Sequence, residues 1–232
     1  MTQPVLEAQH NTVNPPSRLI RLIAVIVGVA AWFWTQSLIS KRAFPIGVVG
    51  DGLHNLTAPI NHYLMQHPSF TNGLLIVSSG FIDLFAIFLL LSSIFGRTIR
   101  PLIGLLLLLG LRQICEALCA LPQPENMIWH YPGFPSLLVT YGVSNDFFFS
   151  GHTSVAVYGA YEISRLGRKW LTAGAIVIVF FEMLTVLTLR AHDTVDVFAA
   201  AATALLVGII SEKLTPRIDS LLSSAASLVL RH

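Results

Sequence analysis

Charge is what this sequence has least of. Charged residues make up 11% of the 232 and hydrophobic ones 54%, where soluble globular domains carry about 25% charged residues. Mean hydropathy is +0.70. Those values exclude a soluble domain and a disordered segment. An excess of one sign is also lacking: 14 basic residues stand against 12 acidic ones, so there is no basic field for a nucleic acid. The two cysteines, Cys115 and Cys119, lie in one apolar run. They exclude a disulfide framework and say nothing about redox compartment. Internal repeats and low-complexity tracts are absent. The first 17 residues are polar and contain Pro15 and Pro16, so no cleavable signal peptide is expected.

Long apolar runs are what the sequence has in abundance. A bilayer core of about 30 Å takes about 20 apolar residues in a helix. Six segments qualify: 19–40, 73–95, 102–121, 147–166, 170–189 and 194–213. The fourth and sixth are weaker and open with polar residues, which are retained in lipid when they face a protein-lined cavity. Flanking charge orients the spans. Arg18, Arg21, Arg97, Arg100, Arg165, Arg168, Lys169, Lys213 and Arg217 fall on one side if the spans alternate. The other side has Lys41, Arg42 and Arg190, and the 122–146 connection has no Lys or Arg. The expected fold is therefore all-α: a six-span transmembrane bundle with both termini cytoplasmic. Its parts are a polar segment 1–17, a membrane domain 18–213 and a weakly amphipathic tail 214–232 on the inner surface. The semi-apolar 41–72 loop has the pattern of a helix lying in the interface. It carries an Asn55-Leu56-Thr57 sequon, a triplet common by chance.

Two segments carry chemistry. Asn145-Asp146-Phe147-Phe148-Phe149-Ser150-Gly151-His152-Thr153 opens the fourth span, and Leu189-Arg190-Ala191-His192-Asp193-Thr194-Val195-Asp196-Val197 opens the sixth. Both fall at external ends, so their histidines can converge. If the sixth helix starts near His192, then His192 and Asp196 are four apart and share a face. A carboxylate there fixes the imidazole tautomer and leaves the other ring nitrogen as nucleophile or base. Arg190 offers planar donors suited to phosphate oxygens, and Ser150-Gly151 at a helix start offers backbone N–H groups to an anion. Phosphoryl transfer through a phosphohistidine needs these parts. His-x3-Asp is also half of a metal site, though no second pair has comparable spacing. Asp193 or Thr194 also suits a helix cap. His54, His62, His67 and His130 read as ordinary interfacial histidines.

At these residues the chain resembles the type-2 phosphatidic acid phosphatase superfamily. More closely it resembles the sphingomyelin synthase branch and the plant phosphatidylcholine:diacylglycerol cholinephosphotransferases. The matching pattern is Asp146…Ser150-Gly151-His152 followed by His192-Asp193-Thr194-Val195-Asp196. The run Arg112-Gln113-Ile114…Leu121-Pro122-Gln123-Pro124 is similar to the end of those enzymes' third span. The resemblance implies six spans and catalysis without metal or other cofactor. It also implies a triad of His192 as nucleophile, Asp196 as its orienter and His152 as the acid that protonates the leaving oxygen. The classical phosphatase motifs are incomplete: Val186 stands where one arginine belongs, and Ser93 replaces the lysine that precedes Arg100-Pro101. Arg190 matches the cholinephosphotransferases instead. Arg97 and Arg100 sit on the cytoplasmic side and are topology determinants.

Depth adds an independent argument. At about 1.5 Å per residue, His152, Asp196, Glu116, Glu182, Arg112 and Asp83 all lie in the outer half of their spans or near the midplane. One unpaired charge at mid-bilayer costs roughly 2.5–3.5 kcal/mol, so several at one level imply a polar chamber. Arg112 and Glu116 are four apart and can pair. A purely structural ion-pair cluster is the alternative for Asp83 and Glu182, and Glu162 can snorkel. The expected function is an integral membrane lipid phosphotransferase with its site on the extracytoplasmic face, periplasmic or lumenal. Its site comprises His152, His192 and Asp196, with Arg190, Arg112, Ser150 and Gly151 at the phosphate, and Asp146 and Glu116 in support. A phospholipid is the donor, and diacylglycerol, a ceramide or water the acceptor. With water the same site is a lipid phosphatase. A non-catalytic transporter is the rival from another class.

Overall fold

The computed structural model describes residues 15–39, 50–141 and 147–229. Among them are seven helices and no strand: α1 (Pro15–Ile39), α2 (Gly52–Gln66), α3 (Pro68–Phe95), α4 (Arg100–Leu118), α5 (Gly151–Ser164), α6 (Lys169–Thr188) and α7 (Thr194–Val229). Five of them, α1, α3, α4, α6 and α7, are long and apolar enough to cross a membrane. Lys41, Arg42 and Asp146, part of the topology and site expectations, lie outside the described residues.

α5 explains the weak fourth segment. It has 14 residues, about 21 Å of helix, and packs against α3, α4, α6 and α7. Every residue from His152 to Ala160 is buried. A helix ringed by four others needs no lipid-compatible surface, so its hydropathy falls. Two glycines allow the close packing. A Cβ at Gly104 of α4 would collide with Tyr158, and one at Gly159 of α5 with Phe85. Small residues let helix backbones approach where no water is available to drive association. The core around α5 includes Phe85, Leu108, Phe149, Val155, Tyr158 and Ala204.

One end of the bundle gathers the basic residues of the span ends. Arg100 makes a bidentate pair with Glu162, at 3.0 Å from Nε and 2.7 Å from Nη2. Arg21 donates to the carbonyl oxygens of Ser93 and Gly96, and Arg165 pairs with Glu212. Glu162 is 3% exposed, so it is neutralised in place and does not snorkel. The expected interfacial tail is continuous with the last span. α7 runs unbroken through Pro216, and Asp219 accepts from Thr98 Oγ1 and the Ile99 amide.

The 41–72 region holds α2. Asp51 caps it, accepting from the amides of Leu53 and His54, and Pro68 opens α3 straight after His67. Proline suits that first helical position because its missing N–H would be unpaired there anyway.

Candidate active site

The site lies at the bundle end opposite the basic cluster, where α4 ends and α5 and α7 begin. α4 contributes one face. Arg112 and Glu116 pair at 2.7 Å, both buried, as i,i+4 spacing allows. Arg112 Nε also donates to the Phe149 carbonyl at 2.9 Å, and the guanidinium passes over Gly151, 3.4 Å from where a Cβ would stand. A Cβ there would stand in van der Waals contact with Arg112.

Ser150 caps α5, its hydroxyl accepting from the Thr153 amide at 3.3 Å. The Ser150 amide donates to the Asp196 carbonyl at 3.4 Å, so the two motifs are joined by backbone. His152 then stands in the first turn of α5, with Nε2 buried and without a hydrogen-bond partner. The Trp129 ring meets the imidazole edge-on, centroids 5.2 Å apart.

His192 departs from the expected geometry. α7 begins at Thr194, so His192 sits in the preceding turn and does not share a helical face with Asp196. Its Nδ1 lies 2.8 Å from the Phe147 carbonyl and 3.8 Å from Asp196 Oδ2. A carbonyl only accepts, so Nδ1 carries the proton and Nε2 presents a lone pair. The tautomer expected from Asp196 is set by Phe147. Asp196 Oδ2 accepts instead from the Asp193 amide at 3.0 Å, and its carboxylate acts on the ring as a nearby charge.

Arg112, Gly151, His152 and His192 line one cavity of about 60 Å³, closed by Trp32, Ile82, Leu109, Met127, Trp129 and Phe147 among others. Arg190, expected at the phosphate, does not line it. Its backbone is left-handed (φ 52), and its guanidinium donates to the carbonyls of Glu125 at 3.0 Å and His54 at 3.3 Å. Arg190 therefore ties the α6–α7 turn to its surroundings. Asp83 caps the 136–138 turn through Ser136 and the amides of Leu137 and Leu138. Glu182 accepts from Ser78 at 2.6 Å. Both are packing ties outside the cavity.

Sequence reasoning missed the layer behind His192. His62, His67 and His130 are exposed, as an interfacial position requires, but His54 is buried. Its Nε2 lies 2.9 Å from the His192 carbonyl, and its Nδ1 is 3.5 Å from Asp193 Oδ1. Asp51, His54 and Asp193 each bring a cation-ligating type of atom to within 4.8 Å of the others. Asp51 is already committed: its oxygens accept from Leu53, His54, and both the amide and hydroxyl of Thr194. Burial alone would raise the Asp51 carboxyl, but the Thr194 and His54 donors outweigh it and hold it below the ordinary value. Burial, reinforced by Asp196, pushes Asp193 up to about 6. Trp129 was missed too, since a loop tryptophan carries no spacing signal.

No curated protein and no solved structure matches the chain. The model of the AtPDCT1/2 family, phosphatidylcholine:diacylglycerol cholinephosphotransferases, matches residues 51–213. That range runs from the cap of α2 through both histidine motifs and most of the bundle. Coverage of well over half the chain, together with five helices of spanning length, places the protein: it belongs to the AtPDCT1/2 family and is an integral membrane phosphotransferase of lipid metabolism.

Proposed function

We propose that the chain moves phosphocholine from a phosphatidylcholine donor to diacylglycerol through a phosphohistidine at His192. The observation that carries this reading is the shared cavity of His152, His192 and Arg112, with the Nδ1 proton of His192 held by Phe147. In the first half-reaction His192 Nε2 attacks phosphorus, and the P–O bond to the donor diacylglycerol breaks. His152 gives its proton to the departing oxygen. Arg112 neutralises charge on the phosphoryl oxygens as it builds up. In the second half-reaction His152 takes the proton from the acceptor hydroxyl, that oxygen attacks phosphorus, and the P–N bond to His192 breaks. Gly151, in the cavity wall at the start of α5, adds a backbone donor and a helix N-terminus to the phosphate site. Ser150, whose amide is taken by the Asp196 carbonyl, supports it as the cap of the helix. Asp196 stabilises the imidazolium by proximity, Glu116 holds Arg112, and Arg190 holds the turn. No step passes through a metal or other cofactor. Asp146 keeps its supporting role from the motif resemblance. Of the acceptors expected from sequence, the family match favours diacylglycerol and lends ceramide and water no support.

The fold is read as six crossings with both termini cytoplasmic, the fourth of them α5, shielded from lipid by its neighbours. The clustering of Arg21, Arg100 and Arg165 with the α7 extension at one end supports a basic inner face. The site then lies at the extracytoplasmic end. Residues 1–17 and 214–232 flank a membrane catalytic domain 18–213. The same motif order supports kinship with the wider phosphatidic acid phosphatase superfamily.

The test is to incubate purified protein with phosphatidylcholine labelled in its head group, adding diacylglycerol, ceramide or neither. Label should pass to diacylglycerol and be lost from the lipid fraction only slowly without it. Labelled free phosphocholine as the main product in every arm would make the protein a hydrolase and refute the reading.

A further inference from the structure

α2 is amphipathic the wrong way round for a soluble helix. Its buried residues are His54, Thr57, Asn61 and Leu64. Its outward stripe is Leu53, Leu56, Ile60 and Tyr63, the second of these 75% exposed. Steps of 3, 4 and 3 put those four on one face. The stripe does not end with the helix. Tyr63 stacks on His67 at 3.9 Å and meets Phe70 at 6.1 Å, and exposed Val77 and Leu84 carry the surface down α3, a helix of membrane-spanning length. The outward face is thus continuous with a surface that faces lipid, and its occupant is the bilayer interface. An aromatic and aliphatic face beside a span is the composition that interface takes up.

The inner face points at one target. Asn61 Nδ2 donates to the Thr188 carbonyl at 2.9 Å. His54 Nε2 donates to the His192 carbonyl at 2.9 Å. Asp51 accepts from the amide and hydroxyl of Thr194, and Arg190 returns a bond to His54 O. These ties bracket residues 188–194, the turn between α6 and α7. His192 needs them because it lies outside any helix, where no helical ladder fixes its backbone.

We propose that α2 is an interfacial strut for the nucleophile. Its outward face rests on the bilayer surface, and its inner face, through His54, fixes the backbone of His192; His54 is a positioning residue for the transfer reaction. This rests on the reading of His192 as the attacking residue. The lone pair of His192 Nε2 is aimed only if both its ring and its backbone are held, the ring by Phe147 and the backbone by His54. Misplacing a reacting group by about 1 Å costs on the order of 10²-fold.

The experiment uses the full chain in phosphatidylglycerol nanodiscs, with soluble dihexanoyl-phosphatidylcholine as donor and dioctanoylglycerol as acceptor. His54→Ala lowers kcat roughly 10- to 100-fold and leaves the donor KM nearly unchanged. His54→Gln, whose amide N–H reaches the same carbonyl, restores most of the loss. Leu56→Glu/Ile60→Glu lowers kcat by a similar factor, and adding His54→Ala to it lowers kcat little further, because both act on one element. Melting temperatures identify any variant that fails to fold, and His54→Gln keeps the question open to answer if His54→Ala does. A folded His54→Gln as slow as His54→Ala, or strictly multiplicative losses in the combined variant, would overturn the strut. Full turnover by His192→Ala would overturn the nucleophile assignment itself, and the strut with it.

Discussion

Arg112 has two tasks that one experiment can separate. It neutralises Glu116, which is 1% exposed, and it lines the cavity beside both histidines. Arg112→Met removes both functions. A buried carboxylate deprived of its partner costs about 3–5 kcal/mol, which in a chain of this length lowers the melting temperature by roughly 6–20 °C. Arg112→Met/Glu116→Leu removes the orphaned charge as well, and replacing a whole buried pair by apolar groups is close to neutral. The double variant should therefore regain most of the lost melting temperature, remaining below wild type by the Arg112 bond to the Phe149 carbonyl that it still lacks, worth about 1–3 kcal/mol. Its activity should stay low, because the phosphoryl oxygens have lost their cation; removing one such stabilising donor costs about 10²–10³-fold. The assays are thermal unfolding in detergent and transfer from head-group-labelled phosphatidylcholine to diacylglycerol. A double variant that is stable and transfers within a few-fold of wild type would show that Arg112 is structural only, and the phosphate site would have to be sought elsewhere.

Three further outcomes are expected. His192→Ala should give no burst with a nitrophenyl phosphodiester, whereas His152→Ala should regain much of its rate on that substrate, since general acid catalysis is worth about 10²–10⁴-fold and matters least for good leaving groups; a full burst from His192→Ala reverses the roles. Arg190→Ala should lose most turnover, because Arg190 holds the turn that carries His192, while Arg100→Ala should lose stability by orphaning Glu162 and retain per-molecule turnover; equal inactivity of two folded variants refutes that division. Asp193, raised from 3.8 to about 6, keeps a proton in the fold that the unfolded chain has lost across that window. It therefore contributes stability below about pH 4 that disappears as pH rises through 6. Asp193→Asn should flatten the fall in melting temperature from pH 4 to 6.5 relative to wild type, and an unchanged slope would assign the proton elsewhere.

The parts of the site that were legible in the sequence are those whose chemistry is local. Ser150-Gly151-His152 and His192-x3-Asp196 announce themselves by residue type and spacing, and Arg112 by a depth that lipid makes costly. The parts that were not legible depend on direction or on distant partners. Arg190 was expected at the phosphate because a guanidinium near a histidine suits it. A left-handed backbone at that residue aims it at two carbonyls instead, and nothing in the residue string reveals that φ. The Asp196 hydrogen bond to His192 assumed a helix start two residues too early, the ordinary error at a helix boundary. His54 acts on a carbonyl 138 residues away. It read as a bland interfacial histidine, although the placement of Leu53, Leu56 and Ile60 opposite His54 and Asn61 is a visible inversion of amphipathic order. The fourth segment looked weak because hydropathy measures exposure to lipid, and α5 has almost none.

On the proposed mechanism, transfer and hydrolysis differ only in which hydroxyl reaches the phosphohistidine, so the walls of the cavity would decide the product. The space beside His152 and His192 is about 60 Å³, room for a few waters at about 10–15 Å³ each on that measure. Trp32 of α1, Leu109 of α4 and Leu138 form part of its wall and also line a second, apolar crevice between α1, α3 and α4. A diacylglycerol entering from that side excludes water by filling apolar space, and each buried methylene favours it by about 0.8 kcal/mol. Water gains nothing from such a wall. Trp32 is 8% exposed, and Trp32→Ala opens the wall by the volume of several waters without touching either histidine. The total rate of phosphatidylcholine cleavage should then fall modestly, while the fraction released as free phosphocholine rises several-fold over the fraction passed to diacylglycerol. Both products are read from one labelled substrate in one assay. If the ratio stays at its wild-type value in a folded Trp32→Ala protein, the apolar wall does not select the acceptor.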